Sequence, residues 1–138
     1  MIKTVVVGFG FAAKVFHLPH LTHSTHYEVV GFVSSSGASK EHSEYRHIPV
    51  YESLQQAFEM SEATLYIITT PSNQHYEMVK QCLINNKDVL VEKPAFLTVA
   101  EGEELLQLAH EHQSVVSVHQ NRRWDGDFAT VQKLLQEE

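Results

Sequence analysis

The chain has 138 residues, 43% of them hydrophobic, and a formal net charge of −7. That length suits one domain, and the acidic balance argues against sequence-independent nucleic-acid binding, which needs clustered Lys and Arg to replace counterions. The single cysteine, Cys82, excludes an internal disulfide and makes a reducing compartment the default. No signal-peptide pattern follows Met1 and no apolar run is long enough to cross a membrane, so a soluble, cytoplasmic protein is expected.

Apolar runs alternate with helical patterns, which predicts βαβ units and a mainly parallel sheet. The first strand is expected at about Ile2–Val7. A helix from near Ala12 is expected to cover Val15, Phe16 and Leu18, with Pro19 inside it or bending it. The second strand reads Tyr27–Ser34, apolar on both faces as in a strand covered by helices. Ser35–His47 is polar, with a short helix expected over Ser39–Tyr45 and an extended piece at Ile48-Pro49-Val50. Ser53 caps a helix through Met60 that buries Leu54, Ala57 and Phe58. Thr64–Thr69 reads as a central strand ended by Pro71 and Ser72. The next helix, about Gln74–Ile84, carries Tyr76, Val79, Cys82 and Leu83 near one face and is closed by Asn85-Asn86. Asp88–Val91 reads as a short buried strand, and Thr98 with Glu101 as a capping box for a helix to about Glu111. Ser114–Val118 is the last strand. Asp125 or Asp127 opens a final helix with Phe128, Val131, Leu134 and Leu135 on one side, a face that needs something to pack on.

The chemistry concentrates where strands end. Gly8-Phe9-Gly10-Phe11-Ala12-Ala13 has the spacing G-x-G-x-x-A of a dinucleotide-binding turn. Gly8 permits the tight strand-to-helix turn, Gly10 lets backbone N–H groups approach a pyrophosphate at the positive end of a helix, and Ala13 lets the helix pack closely. Ser34-Ser35-Ser36-Gly37 ends the second strand, where an NAD site usually carries an acid. With Lys40 nearby, this favours NADP over NAD, although the segment also reads as a polar loop. Thr69-Thr70-Pro71-Ser72-Asn73-Gln74-His75 ends the central strand, at the edge where ligands of open α/β sheets collect, and reads equally as a helix cap with turn residues. Glu92-Lys93-Pro94 suits contact with a substrate hydroxyl or the nicotinamide ribose, or else is an exposed ion pair. Histidines recur at 17, 20, 23 and 26, but that spacing drifts around a helix and brings no Cys or carboxylate cluster, so no metal site is expected. Of the four, His17 lies closest to the glycine turn. Cys82 reads as core rather than nucleophile.

Together these stretches, with Phe16-His17-Leu18-Pro19 and His119-Gln120-Asn121-Arg122-Arg123-Trp124-Asp125, resemble the Gfo/Idh/MocA family (glucose–fructose oxidoreductase, inositol dehydrogenase, MocA). The last stretch is most like the branch with NADP-dependent scyllo-inositol dehydrogenases. The resemblance implies a Rossmann-type, doubly wound α/β fold in three α/β/α layers over residues 1–120. Residues 121–138 would begin the connection to a C-terminal substrate domain absent from the chain. It implies that Gly8, Phe9, Gly10, Phe11, Ala12 and Ala13 hold the pyrophosphate, and Ser34, Ser35 and Ser36 the adenosine ribose side. Thr69, Thr70, Pro71, Asn73 and His75 would line the cofactor, and Glu92 with the catalytic-site Lys93 its nicotinamide end. Asn121 and Arg122 would lie near nicotinamide and substrate. Asn85-Asn86 departs from the family's usual Ala-Gly. The implied function is hydride transfer between NADP, or NAD, and a sugar or cyclic polyol, in a homo-oligomer. A stand-alone dinucleotide-sensing or protein-interaction module is the rival reading.

Overall fold

The computed structural model describes residues 1–34 and 43–136. Six strands form one sheet: β1 (Ile2–Val7), β2 (Tyr27–Val33), β3 (Val50–Tyr51), β4 (Leu65–Ile68), β5 (Asp88–Val91) and β6 (Val116–Val118). Their order is β3-β2-β1-β4-β5-β6 and every pairing is parallel. The chain winds outward from β1 through β2 to β3, then restarts on the other side of β1 and runs out through β6. The order therefore reverses between β1 and β4, and a doubly wound sheet opens its ligand crevice at the carboxyl ends of such a pair.

Successive side chains of a strand point to opposite faces, and both faces here are covered. Val5 and Val7 pack under α2 (Leu54–Met60), α3 (His75–Ile84) and α4 (Val99–Glu111), with Leu54, Val79, Cys82, Leu83 and Leu105. Val6 faces the other way, into Phe9, Leu18, Phe32 and Ile67. Two covered faces are the reason for an unbroken apolar run. The expected caps are present. Ser53 accepts from the Gln56 N–H at 3.2 Å, Thr98 from Glu101 N–H at 3.2 Å, and the Glu101 carboxylate from Thr98 N–H at 3.1 Å. Asn86, at φ 55°, turns the chain out of α3.

The first helix differs from expectation. Residues Ala13–His17 form a π-helical turn that runs into α1 (Leu18–His23). The wider turn rotates the buried stripe onto Ala13, His17, Leu18 and Leu21, so Val15 points to solvent and Phe16 is only half-buried. Pro19 falls in the first turn of α1, where a missing N–H is tolerated. Most of the helix expected over 39–45 lies outside the described residues, of which Ser43–Tyr45 form a 3₁₀ turn. Strands β3 and β6 begin two residues later than expected. The last helix, α5 (Gly126–Gln136), leaves Phe128, Val131, Leu134 and Leu135 exposed. Among the described residues, no helix is long and apolar enough to cross a membrane.

Candidate functional site

The site is assembled at the β1–β4 junction. Gly8 takes φ +92°, a conformation L side chains rarely adopt, and a Cβ there would stand 3.0 Å from the Thr69 hydroxyl and 3.3 Å from its backbone. Thr69 locks the junction from the neighbouring strand, its N–H and hydroxyl both donating to the carbonyl of Val7, at 2.9 and 3.0 Å. Gly10 is the opposite case, because a Cβ added there would meet nothing within 4 Å. Its carbonyl accepts from Lys14 N–H at 3.2 Å and opens the helix. The stretch after β1 thus presents bare main chain at the start of a helix, a surface suited to phosphate oxygens.

Two clefts flank this turn. One, of about 480 Å³, runs along the ends of β1 and β2 and is lined by Gly8, Ser34, Glu52, Thr70 and Pro71 among others. The other, of about 510 Å³, lies over β4 and β5 and brings together Phe11, Ala12, Thr69, Thr70, His75, Glu92, Lys93, Asn121 and Arg122. Thr70 borders both. Most of the residues singled out in the sequence therefore border one or the other of these clefts. Gly10 borders neither, and Phe9 and Ala13 do not line them with their side chains. Phe9 sits edge-on to Phe32 and Tyr45 at centroid distances of 5.1 and 5.7 Å, and Ala13 is fully buried beneath the helix. Asn73 is exposed and borders neither cleft. Ser35, Ser36 and Lys40 lie outside the described residues.

His75 is 1% exposed, with Nδ1 2.7 Å from the carbonyl oxygen of Pro94 and Nε2 2.7 Å from that of Thr70. Both ring nitrogens face backbone carbonyls, so the ring ties the loop after β4 to the turn after β5. Arg122 pairs with Asp125 at 2.7 Å beside the second cleft.

Sequence reasoning missed two features. Glu52, directly after β3, borders the cleft at the ends of β1 and β2. The second feature surrounds Glu92, which does not pair with Lys93 as an exposed ion pair would. Its Oε1 accepts from His17 Nε2 and from His119 Nδ1, each at 2.8 Å, and Glu92 itself is only 8% exposed. Burial works upward on the Glu92 carboxyl, but the two imidazole hydrogen bonds outweigh it and hold the group below its ordinary 4.5. For His17, burial dominates and lowers the imidazole below 6.5 despite the pull of Glu92. An ionised acceptor and a neutral donor follow. The three ligand atoms lie within 4.8 Å of one another, near enough to share a cation, but at 2.8 Å the separations are those of hydrogen bonds. His17 alone of the four regularly spaced histidines joins this group.

Residues 2–120 match the sequence model of a family described as GFO_IDH_MocA, the oxidoreductase family with an NAD-binding Rossmann fold. The chain belongs to the Gfo/Idh/MocA oxidoreductases. An oxidoreductase of Schizosaccharomyces pombe, named as uncharacterized, is 38% identical over 98% of this chain and 38% of its own length. The Bacillus subtilis scyllo-inositol 2-dehydrogenase (NADP(+)) IolW is 35% identical over 99% of this chain and 38% of its own. The crystal structure of an oxidoreductase from Bacillus cereus superposes with a TM-score of 0.86 at 31% identity, covering 99% of this chain and 40% of that one. The chain thus spans well under half the length of these relatives. As a Gfo/Idh/MocA Rossmann domain it is built for a nicotinamide cofactor, and the turn fits one, since Gly8 makes the tight turn against Thr69 and Gly10 leaves open space above its main chain.

Proposed function

We propose that this chain is the cofactor-holding part of an oxidoreductase that moves hydride between NADP, in preference to NAD, and a hydroxyl-bearing carbon of a sugar or cyclic polyol. The observation that carries the reading is Gly8 at positive φ followed by the open Gly10 at the β1–β4 reversal, with a cleft on either side. Of the Gly8–Ala13 stretch, the Gly8 N–H is taken by the Val33 carbonyl at 2.9 Å, and backbone N–H groups from Gly10 onward hold the phosphate oxygens. Ser34, which closes β2 without an acid, faces the adenosine ribose and favours NADP, as does the name of IolW, while Glu52 in the same cleft weighs toward NAD. When bound, the nicotinamide supplies the hydride chemistry. Lys93, in the second cleft with Asn121 and Arg122, donates a hydrogen bond to the reacting oxygen and steadies its developing charge. The group that moves the alcohol proton is assigned to the part of the relatives' length that this chain does not span, a second unit to which residues 121–138 begin the connection.

Titration of the chain with NADPH and NADH, read by energy transfer from the exposed Trp124, tests the reading. Micromolar binding with NADPH the tighter is expected. Absence of binding by both below about millimolar, a range reached even by weak specific ligands, overturns it.

A further inference from the structure

We propose that His17 and His119 are positioning residues that act through Glu92: both donate to its Oε1, and so fix the place at which Lys93 leaves the sheet for the cleft. The inference rests on the proposed cofactor site.

Three elements meet at this carboxylate. His17 closes the π-helical turn after β1, Glu92 follows β5 directly, and His119 follows β6. Backbone bonds prolong the sheet to the same level, with Glu92 N–H donating to Ile68 at 3.0 Å and His119 N–H to Val91 at 2.8 Å. The two imidazole rings pack at 4.5 Å between centroids, which leaves Oε1 little freedom. Among the described residues no hydrogen bond reaches Oε2. The side chain of Glu92 is thus held by one oxygen from the helix and from β6, while Glu92 and Lys93 border the same cleft. The charged and titratable groups around it are His17 and His20 on the first helical segment, His119 beyond β6, and Lys93, His75 and Arg122 around the cleft.

A buried carboxylate deprived of a donor keeps its desolvation cost and seeks a new partner, and Lys93, the next residue, is an exposed cation on the same cleft. Strand alternation sends Glu92 to the Leu90 side, and the imidazole pair holds it there, away from capturing the lysine meant for the reacting oxygen. The lowered Glu92 value, caused by those two bonds against the pull of burial, is consistent with the hold.

The test uses the 138-residue chain, its His119→Phe and His119→Asn variants, and Glu92→Gln. Phe keeps ring bulk without a donor, while the Asn amide restores a donor near the position of Nδ1. Side-chain ¹⁵N NMR is expected to place the His119 proton on Nδ1 and the His17 proton on Nε2, and in Glu92→Gln the His119 proton should redistribute toward Nε2. Hydrogen exchange at the Glu92 amide should quicken about tenfold, and NADPH should bind about tenfold more weakly, in His119→Phe, with His119→Asn within about twofold of wild type. A His119 proton already on Nε2 in wild type overturns the proposal, even if a variant fails to fold. So does a His119→Phe protein with wild-type exchange and affinity. If exchange and tautomers come out as expected but wild type binds neither cofactor, the hold is supported and the cofactor reading alone falls.

Discussion

Gly8 and Gly10 stand two residues apart and make opposite predictions, which separates the fold from the binding surface. At Gly10 an added Cβ meets nothing within 4 Å, so Gly10→Ala costs the folded state no contact. By narrowing the unfolded ensemble it should stabilise the protein by about 0.4–1 kcal/mol. The same methyl group stands on the bare main chain that is to meet the pyrophosphate. A hydrogen bond to a charged group contributes about 1.5–3 kcal/mol, so displacing phosphate from two N–H groups costs roughly 3–6 kcal/mol. That is a rise of about two to four decades in the NADPH dissociation constant. Gly8→Ala should do the reverse damage. With φ at +92° and the Thr69 backbone 3.3 Å from the new Cβ, it should lose about 1–3 kcal/mol of stability. Urea unfolding and NADPH titration on both variants decide the matter. If Gly10→Ala binds NADPH within twofold of wild type, or unfolds at lower urea, the assignment of the turn is wrong.

Acidification should destabilise the fold in two stages. The His17 value lies below 6.5 in the folded state, so the unfolded chain takes up that proton first and stability falls as pH drops below 6.5; Glu92, held below 4.5, adds its loss below that value. Each unit of difference between folded and unfolded values contributes about 1.4 kcal/mol, and a melting temperature that does not fall between about pH 7 and pH 5 would contradict the His17 contribution. Cys82 is fully buried and its thiol is pushed up to about 12, so a thiol reagent should label the protein only as it unfolds; stoichiometric labelling of the native state would place the side chain elsewhere. Thr98→Ala removes the acceptor for Glu101 N–H and should cost about 1 kcal/mol, while an unchanged unfolding midpoint would show the capping box to be idle.

What could be read from the sequence was what neighbouring residues decide. The glycine spacing located the turn because a positive φ at Gly8 is a local demand, and Thr98 with Glu101 located the start of α4 because a cap is settled within one turn. Asn86 could stand where the family usually has Gly for the same reason, since Asn reaches the left-handed region at modest cost. The first helix failed as a reading because its periodicity assumed 3.6 residues per turn. The π turn at Ala13–His17 widens that step, and the buried stripe then takes His17 in place of Val15. Nothing local distinguishes the two windings; packing against Phe32 and Ile67 on the sheet does.

The carboxylate cluster lay hidden for a different reason, since His17 and Glu92 are 75 residues apart and His119 a further 27. Strand parity nevertheless contained half of the answer. In β5, Val89 and Val91 point into the core beneath α3 and α4, and Leu90 packs on the opposite side with Leu18. Alternation carries Glu92 to the Leu90 side, toward the first helix. In β6, Val116 and Val118 take the α4 side, so His119 falls on the face of Glu92. An acid and an imidazole on adjacent parallel strands, at the same level and on one face, must meet once the register pairs Val91 with Val118. Only the arrival of His17 needed the π turn, and with it an acid beside a lysine in the sequence became a buried acceptor for two imidazoles.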